Sequence, residues 1–335
     1  MGPWQPRLAF TTWKPVHLYK KPGLFHDEDS VGLRLSVTCA CECWLCFPCA
    51  QLVIDRLDPL ATPGQAPSPH LHQILGADLP GESTCTSCLF SEDFSNDWTA
   101  VLYFKARNST YKRVPQLPNV GFDGVNGGMT QTSKVQAFQP RIRMFIGDVN
   151  ARTKQEAERF LQLTFTCLQN MNTRDPQTLD FPKAPCSAGI MTANIDSPDH
   201  MAHMSYPEFG SFESGGPCPV SHPVRMGQLF YEGIWDTKQF NNKADWPTDG
   251  SQPFVWSFGD GTGNANHGDY LFGWQGDAPQ RALDSPCYQN CPTLKTQDVA
   301  AMNKCTVPRV VNQDIDGCQG TSWWSSGAVC LEALD

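Results

Sequence analysis

The sequence predicts a mainly β protein, an antiparallel β-sandwich or jelly-roll-like fold with long disulfide-bonded loops and few short helices. Two compositional features favour this class: 27 glycines and 27 prolines interrupt the chain, and aromatic residues make up 11% of it. The third feature is a series of short apolar runs, several of them alternating with polar residues as half-buried strands do. The runs predicted as strands lie at 51–59, 98–105, 111–114, 134–138, 141–148, 163–168 and 226–236.

The best helix candidate begins at Thr153 and runs to Leu161. Thr153 can cap the first turn, and Glu156 three residues later can complete a capping box.

The net charge and composition argue against a nucleic-acid partner, and the chain is expected to form one main domain. The 335 residues carry a net charge of −9 and contain no block of Lys and Arg, so a nucleic-acid partner is not expected. No repeat of fixed period is visible. We expect a poorly defined N-terminal segment at 1–48, a single secreted domain at 49–305 and a divergent tail at 306–335. The sequence leaves the oligomeric state open.

The N-terminal boundary falls inside an apolar run. From Leu35 to Ile54 the only charged residue is Glu42. This run has three interpretations: a displaced signal-peptide core, a membrane anchor, or the product of a misassigned gene start. Apart from this segment, no membrane contact is expected.

Fifteen cysteines raise the question of redox compartment. A zinc ribbon needs two close pairs at a repeated spacing, but Cys287 and Cys291 are four apart while Cys85 and Cys88 are three apart. Disulfides in an oxidising compartment are therefore the preferred interpretation. The sequon at Asn108 agrees with secretion and glycosylation. The cysteines assigned to disulfides are Cys85, Cys88, Cys167, Cys186, Cys218, Cys287, Cys291 and Cys305.

The pair His70 and His72 has a spacing common among metal ligands. In an extended segment both side chains point to one face, about 7 Å apart along the chain. Two histidines on a half-buried strand are also often structural and hydrogen-bonded. Both interpretations stay open for this pair.

A second histidine motif is Asp196-Ser-Pro-Asp-His-Met-Ala-His. Asp199 lies beside His200 and near His203, and a carboxylate that orients an imidazole raises its basicity, which suits general bases and metal ligands. The alternative is a turn in which the aspartates cap backbone amides.

The best single acid–base candidate is His267 with Asp269, two residues apart across a glycine. The preceding loop from Asp260 is rich in Asp, Asn and Gly, so a calcium loop is an alternative. It lacks the lysine of a phosphate-binding loop, so nucleotide binding is not expected. No Gly-x-Ser-x-Gly motif supports a serine nucleophile.

Substrate-binding candidates surround these motifs. Arg225 and Glu232 could point into a cleft, although an ion pair of Arg225 with Glu232 or Asp236 is the simpler role. Indole rings near carboxylates often stack on sugars, whereas a β core buries them. The candidate rings are Trp98, Trp235 and Trp274.

Several ordered motifs carry a family resemblance over roughly Cys49 to Cys305. They are Arg56-Leu-Asp-Pro, Ser68-Pro-His-Leu-His, Cys85-Thr-Ser-Cys, Ser95-Asn-Asp-Trp, Asp196-Ser-Pro-Asp-His-Met-Ala-His, Cys218-Pro-Val-Ser-His-Pro, Gln252-Pro-Phe-Val and His267-Gly-Asp-Tyr-Leu-Phe-Gly-Trp. The sequence thus resembles the secreted fungal family catalogued as domain of unknown function nineteen-ninety-six. Its members are often joined to WSC-type carbohydrate-binding modules, so the resemblance implies an extracellular protein with wall polysaccharide as partner. Residues 1–48 and the segment from Cys318 depart from the family pattern.

Two functional hypotheses follow. The first is a carbohydrate-active enzyme, a polysaccharide hydrolase or lyase, with His267 or His203 as acid or base and Asp199 and Asp269 as orienting or catalytic carboxylates. A metal-assisted version would use a single divalent metal ion bound by histidines. The second is a non-catalytic wall-binding or structural protein in which these polar motifs hold loops in place.

Overall fold

A computed structural model describes most of residues 44–117 and 220–319 and shorter stretches between them. The described residues are 44–78, 83–117, 123–126, 135–140, 142–157, 168–170, 173–174, 186–187, 204–205, 220–231, 233, 235–240, 242–249, 251, 253–285, 287 and 290–319.

Within these residues the secondary structure is mostly short strands. In chain order they are β1 (Trp44–Phe47), β2 (Gln51–Asp55), β3 (His72–Gly76), β4 (Asn96–Ala100), β5 (Leu102–Lys105), β6 (Thr110–Arg113), β7 (Asp123–Asn126), β8 (Arg143–Gly147), β9 (Leu168–Asn170), β10 (Thr173–Arg174), β11 (Cys186–Ser187), β12 (Met204–Ser205), β13 (Val224–Arg225), β14 (Gln228–Tyr231), β15 (Phe254–Trp256), β16 (His267–Leu271) and β17 (Gly317–Gln319). The helices are α1 (Lys154–Ala157), α2 (Ala278–Leu283) and α3 (Val299–Lys304), and two 3₁₀ turns lie at Lys238–Phe240 and Lys243–Asp245.

The largest sheet has five antiparallel strands in the order β2-β3-β4-β16-β8. Its three inner strands, β3, β4 and β16, are buried at every position. Strands covered on both faces do not need the strict alternation of a half-exposed sheet. Polar residues on these strands are therefore buried as well, among them His72, Asp97 and Asp269.

One face of this sheet packs against the three-stranded sheet β1-β7-β14. Leu45 and Phe47 of β1 share one hydrophobic cluster with Leu75, Met144 and Tyr270 of the large sheet. Two antiparallel sheets with a common core form a sandwich, which confirms the predicted mainly β architecture.

A four-stranded sheet, β15-β5-β6-β17, extends this arrangement. β4 and β5 are separated only by Val101, so one length of chain runs from the five-stranded sheet into the four-stranded one. Val101 packs with Tyr103, Tyr111 and Val255 at the junction. The C-terminal strand β17 pairs with β6, so residues 317–319 belong to the same sheet as the body of the protein.

Loops cover the second face of the five-stranded sheet. Ile74, Trp98 and Leu271 pack there against Leu60 and against Cys305. The carboxylate of Asp55 accepts hydrogen bonds from the backbone N–H groups of Val310 and Val311, which fixes the C-terminal segment beside this face. This side of the sheet also carries the histidine cluster described below.

The predicted strands at 51–59, 98–105, 111–114, 141–148 and 226–236 each overlap an observed strand. Of the predicted strand at 163–168 only Leu168, the first residue of β9, lies within the described residues. The prediction at 134–138 was wrong for its described part, because residues 135–138 make only one isolated bridge, from Gln136 to Met226. At the predicted helix, Thr153 and Glu156 form the expected reciprocal capping hydrogen bonds. The described part of that helix is α1, while 158–161 lie outside the described residues.

The described part of the apolar run at 35–54 forms β1 and β2. Among the residues placed in the structure, no helix combines the length and hydrophobicity needed to cross a membrane. The sequence does not predict the helices α2 and α3, because each has only six residues and little periodicity to detect.

Three disulfides join described cysteines: Cys49–Cys88, Cys85–Cys305 and Cys287–Cys291. They confirm the disulfide prediction for five cysteines and add Cys49, which marks the predicted start of the domain. The side chains of Cys167, Cys186 and Cys218 lie outside the described residues.

Removal of the Cys85–Cys305 disulfide is expected to destabilise the protein more than removal of Cys287–Cys291. The first closes a sequence separation of 220 residues and the second only 4. In the chain-entropy model these loops correspond to about 5 and about 2 kcal/mol. Denaturant unfolding of the two double Cys→Ala variants measures the difference, and equal losses would contradict it.

A second prediction concerns Asp93, which lies in the turn before β4. Its Oδ1 accepts a hydrogen bond from the Ser95 N–H at 3.0 Å. Burial raises the pKa of this carboxyl from 3.8 to about 6, and the hydrogen bonds from Ser95 only partly oppose the shift. Between these values the folded protein holds a proton that the unfolded chain has lost, so the contribution of Asp93 to the free energy of unfolding falls as pH rises.

Asp93→Asn should remove this contribution, because the amide keeps the acceptor oxygen and carries no charge. The variant should gain stability relative to the wild type between about pH 4 and pH 6, by up to about 3 kcal/mol. Urea unfolding of both proteins across that range provides the measurement. A difference that stays constant with pH would show that Asp93 does not titrate in this way.

Candidate functional site

Three histidines meet at one end of the five-stranded sheet. His72 is the first residue of β3, and His267 is the first residue of β16. His70 lies two residues before β3, and its ring centroid is 4.2 Å from that of His72 and 5.0 Å from that of His267. One ring nitrogen from each histidine lies within 4.8 Å of the corresponding nitrogens of the other two. We call these residues the three-histidine cluster.

Strand register explains how the cluster forms. His72 is paired with Ala100 on β4, and the next residue pairing, Gly268 with Thr99, brings the start of β16 to the same end of β4. The start of β16 therefore lies near the start of β3 although 195 residues separate them along the chain. On the outer side His267 is paired with Gly147 of β8.

The hydrogen bonds determine the tautomer of two of the rings. Nδ1 of His72 lies 2.9 Å from the carbonyl oxygen of Leu57, and Nδ1 of His267 lies 3.3 Å from that of Ala265. A carbonyl oxygen can only accept, so Nδ1 carries the proton in both rings and Nε2 has the free lone pair. Nε2 of His72 is buried and has no hydrogen-bond partner within the described part of the chain.

The ring of His70 forms a hydrogen bond with the ring of His267. Nε2 of His70 lies 3.0 Å from Nε2 of His267. Because His267 Nε2 is the acceptor in the tautomer above, His70 Nε2–H is the donor. The ring of Phe258 packs against both, with centroids 5.0 Å from His70 and 5.1 Å from His267.

All three imidazoles are neutral at neutral pH. The side chains are almost fully buried, with residue exposures of 8% for His70, 0% for His72 and 6% for His267. Burial lowers the pKa of His72 and of His267 to about 4, and it lowers the pKa of His70 well below 6.5. A neutral imidazole offers a lone pair either to a proton or to a metal ion.

Carboxylates lie close to the cluster. Asp58 and Asp148 both act to raise the pKa of His267, although burial outweighs them. Asp269 follows His267 on the same face of β16 and is buried. Its pKa is raised well above 3.8, first by burial and then by the charge of Asp58.

Arg56 anchors the segment that carries His70. Its guanidinium donates hydrogen bonds to the carbonyl oxygens of Ser68 at 2.6 Å and Pro69 at 2.9 Å. The hydroxyl of Ser68 donates to the carbonyl oxygen of His70 at 2.8 Å. These bonds hold the backbone of His70 in place within the protein interior.

The structure unites candidates that the sequence treats separately. The sequence assigns His70 and His72 to a metal and His267 to acid–base catalysis, whereas all three form one cluster. Asp199, His200, His203 and Glu232 lie outside the described residues. Sequence reasoning missed Asp58, Phe258 and Gly147 as site residues, although Asp58 belongs to the motif Arg56-Leu-Asp-Pro that carries the family resemblance.

Other candidates have different environments. Trp98 and Trp274 are 0% and 6% exposed and pack in the hydrophobic cores, so they do not belong to the site. Trp235 is half-buried and packs on a separate cluster around Phe104 and Phe254. Arg225 is buried, and burial lowers its pKa.

The loop from Asp260 orders itself with its own hydrogen bonds. One carboxylate oxygen of Asp260 accepts from the N–H and the hydroxyl of Thr262, and the other accepts from the N–H of Ala265. Both oxygens therefore have protein donors, which favours a structural role over a calcium loop. This order matters for the site because Ala265 in turn accepts from His267.

The family of the chain follows from a match that spans the site. Residues 58–274, more than half of the chain, match the model of the family described as Domain of unknown function (DUF1996). The chain belongs to this family. The matched range of DUF1996 includes His70, His72 and His267, so the three-histidine cluster lies entirely within the family domain. Searches of curated proteins and of solved structures found no match.

Gly147 should be essential for the position of His267. It has φ +88°, and a Cβ at this residue would clash with the carbonyl oxygen of Asn266 and lie 2.9 Å from Cα of His267. Gly64 is a matched control, because it has φ +77° and a Cβ added there would have no atom within 4 Å.

Gly64→Ala should therefore cost about 1–2 kcal/mol, the strain of a left-handed backbone alone. Gly147→Ala should cost several kcal/mol more, or prevent folding, because backbone atoms must move. Thermal unfolding of the two variants makes the comparison. A Gly147→Ala protein as stable as Gly64→Ala would show that β8 and β16 are not packed this closely.

Proposed function

We propose that this protein is an extracellular carbohydrate-active enzyme that acts on cell-wall polysaccharide at the three-histidine cluster. The observation that carries the proposal is the convergence of His70, His72 and His267 inside a buried sheet, beside carboxylates. Three of the four described histidines lie in this cluster, and the fourth, His222, lies elsewhere in a partly exposed loop.

Energetics support a functional role for the cluster. Buried polar groups reduce stability unless each is hydrogen-bonded, and apolar side chains would fill the same space without that cost. Nε2 of His72 is such an unsatisfied atom within the described part of the chain. Strongly perturbed ionisable groups of this kind are concentrated at functional sites.

Two observations support the location outside the cell. The described residues contain three disulfides, which are typical of secreted proteins and other proteins of oxidising compartments. The sequon residue Asn108 is exposed in the turn between β5 and β6, where a glycosyltransferase can reach it.

The choice of polysaccharide rests on the family context and on surface tryptophans. Trp235 and Trp246 are both half-buried and pack on one hydrophobic cluster. Lys243 Nζ lies 5.7 Å from the centre of the Trp246 ring. Partly exposed indole rings are the side chains best suited to stack on sugars.

The chemistry available at the cluster falls into two classes. An imidazole can move a proton directly, as in a lyase, or several imidazoles can hold an ion that activates water or polarises a sugar oxygen. A glycosidase with two carboxylates would instead need Asp58 and Asp269 on either side of a sugar. The three histidines of the cluster favour direct proton transfer or a bound ion over a glycosidase with two carboxylates.

One observation favours a non-catalytic protein as the second candidate. His72 is fully buried, and Phe258 covers the two other rings. A wall-binding or structural protein could use the cluster to hold the loops at 57–70 and 257–267 together. The enzyme should convert a polysaccharide to products, whereas the non-catalytic protein should not.

The test is a screen of wall polysaccharides, including β-glucans, chitin, mannan, xylan and pectin, for new reducing ends and for unsaturated sugar products. His267→Gln should lower turnover by about 100-fold or more, the usual contribution of a catalytic side chain. His222→Gln is the matched control and should be as active as the wild type. Circular dichroism and thermal unfolding check that both variants are folded.

Binding of a polysaccharide by the wild type without any product would favour the non-catalytic candidate. Full activity of a folded His267→Gln protein would remove the cluster from the reaction. Either result would overturn the proposal as stated.

A further inference from the structure

The geometry points to a binding site for one first-row transition-metal ion, zinc or copper, formed by His70, His72 and His267. The role of such an ion in turnover rests on the proposed enzymatic function. Its binding does not, because it can be measured without a substrate.

Distance is the first argument. Bonds of about 2.0–2.1 Å from zinc to each imidazole nitrogen at a tetrahedral angle place the nitrogens about 3.3 Å apart. The His70 and His267 nitrogens are 3.0 Å apart, and all three ligand nitrogens lie within 4.8 Å of one another. These separations are close to those of three nitrogens bound to one ion.

The unsatisfied nitrogen is the second and independent argument. His72 Nε2 lies in the protein interior with no partner among the described residues, while the other nitrogen of the same ring is bound to a carbonyl. A buried acceptor without a partner costs about 1–3 kcal/mol. An ion coordinated by this nitrogen would remove that cost.

The groups behind the ligands have the arrangement of metal-bound histidines. Such histidines almost always donate their second ring N–H to a carbonyl or a carboxylate, which fixes the tautomer and the ring orientation. The carbonyl oxygens of Leu57 and Ala265 accept from His72 and His267 in this manner. For His70 to bind through Nε2, its proton must move to Nδ1 and its hydrogen bond to His267 must be replaced by the two bonds to the ion.

Charge and donor type identify the class of ion. Neutral imidazoles suit zinc, copper and nickel, whereas calcium and magnesium require oxygen ligands. The nearby carboxylates Asp58 and Asp148 offset part of the charge of a divalent cation. Three protein ligands leave a coordination position for water or substrate, as in catalytic zinc sites.

The experiment uses the full chain purified from a secreting host. Metal content is measured by elemental analysis as purified, after treatment with a chelator, and after dialysis against zinc, copper or calcium. The wild type should bind about one equivalent of zinc or copper and no calcium. His72→Gln and His267→Gln should weaken this binding by more than about 100-fold, since loss of a residue that merely supports a ligand already costs about 10–100-fold. His222→Gln should bind as the wild type does.

A spectroscopic measurement on the wild type covers the case in which the variants fail to fold. Cobalt added to the chelated protein should give the visible absorption of a low-coordinate site, and copper should show nitrogen couplings in its electron paramagnetic resonance spectrum. Absence of stoichiometric metal in every preparation, or unchanged binding in a folded His72→Gln protein, would overturn the inference.

The outcomes also separate this inference from the proposed function. Bound metal without turnover on any polysaccharide would leave the metal site standing and remove the enzyme. Turnover that survives complete removal of metal would leave the enzyme standing and remove the role of the ion in turnover, while the metal site itself stands or falls with the binding measurement.

Discussion

Burial of both faces of the five-stranded sheet is the constraint on which the rest of the structure depends. Strands β3, β4 and β16 have no exposed position, and the sheet is covered by β1 on one side and by loops ending at Cys305 on the other. Any polar side chain on these strands loses its water, and this burial costs free energy unless the side chain has a partner in the protein. The histidines remain neutral for this reason, and Asp93 and Asp269 hold their protons to higher pH because burial raises the pKa of both.

Hydrogen bonds in this buried environment fix the backbone of two loops around the three-histidine cluster. Carbonyl oxygens of two loops, at Leu57 and Ala265, accept from the imidazoles, so the loops determine how the rings are oriented. Each loop is in turn fixed by a buried side chain: Asp58 accepts from the N–H groups of Leu60 and Ala61, and Asp260 closes the second loop. The cluster is therefore preorganised, which lowers the cost of binding a ligand or an ion there.

Two disulfides and the hydrogen bonds of Asp55 fix the chain segments around the five-stranded sheet. Cys49–Cys88 joins the segment after β1 to the loop before β4, and Cys85–Cys305 joins that loop to the end of α3. Asp55, on β2 opposite His72, holds the segment at Val310 and Val311 by hydrogen bonds. Residues far apart in the chain are thus attached near the strand that carries His72, so stability and the site depend on the same contacts.

Features that depend on neighbouring residues could be predicted from the amino-acid sequence. Alternating runs predicted six of the described strands, namely β2, β4, β5, β6, β8 and β14. The Thr153 and Glu156 pair predicted its capping box, and the cysteine spacing predicted disulfides in place of zinc. It also indicated that His70 and His72 share a face. Each of these follows from local geometry that repeats every two to four residues.

Contacts between these features depend on how the strands pair in the folded protein. His267 joins His70 because β16 pairs beside β4, a contact across 197 residues that no spacing reveals. The pairing of Cys88 with Cys49 and the burial of Trp98 and Trp274 in hydrophobic cores also depend on contacts between distant parts of the chain. Which strands pair and which face is covered depend on the sum of many weak contacts across the whole chain. The three-histidine cluster therefore forms only when the five-stranded sheet is assembled.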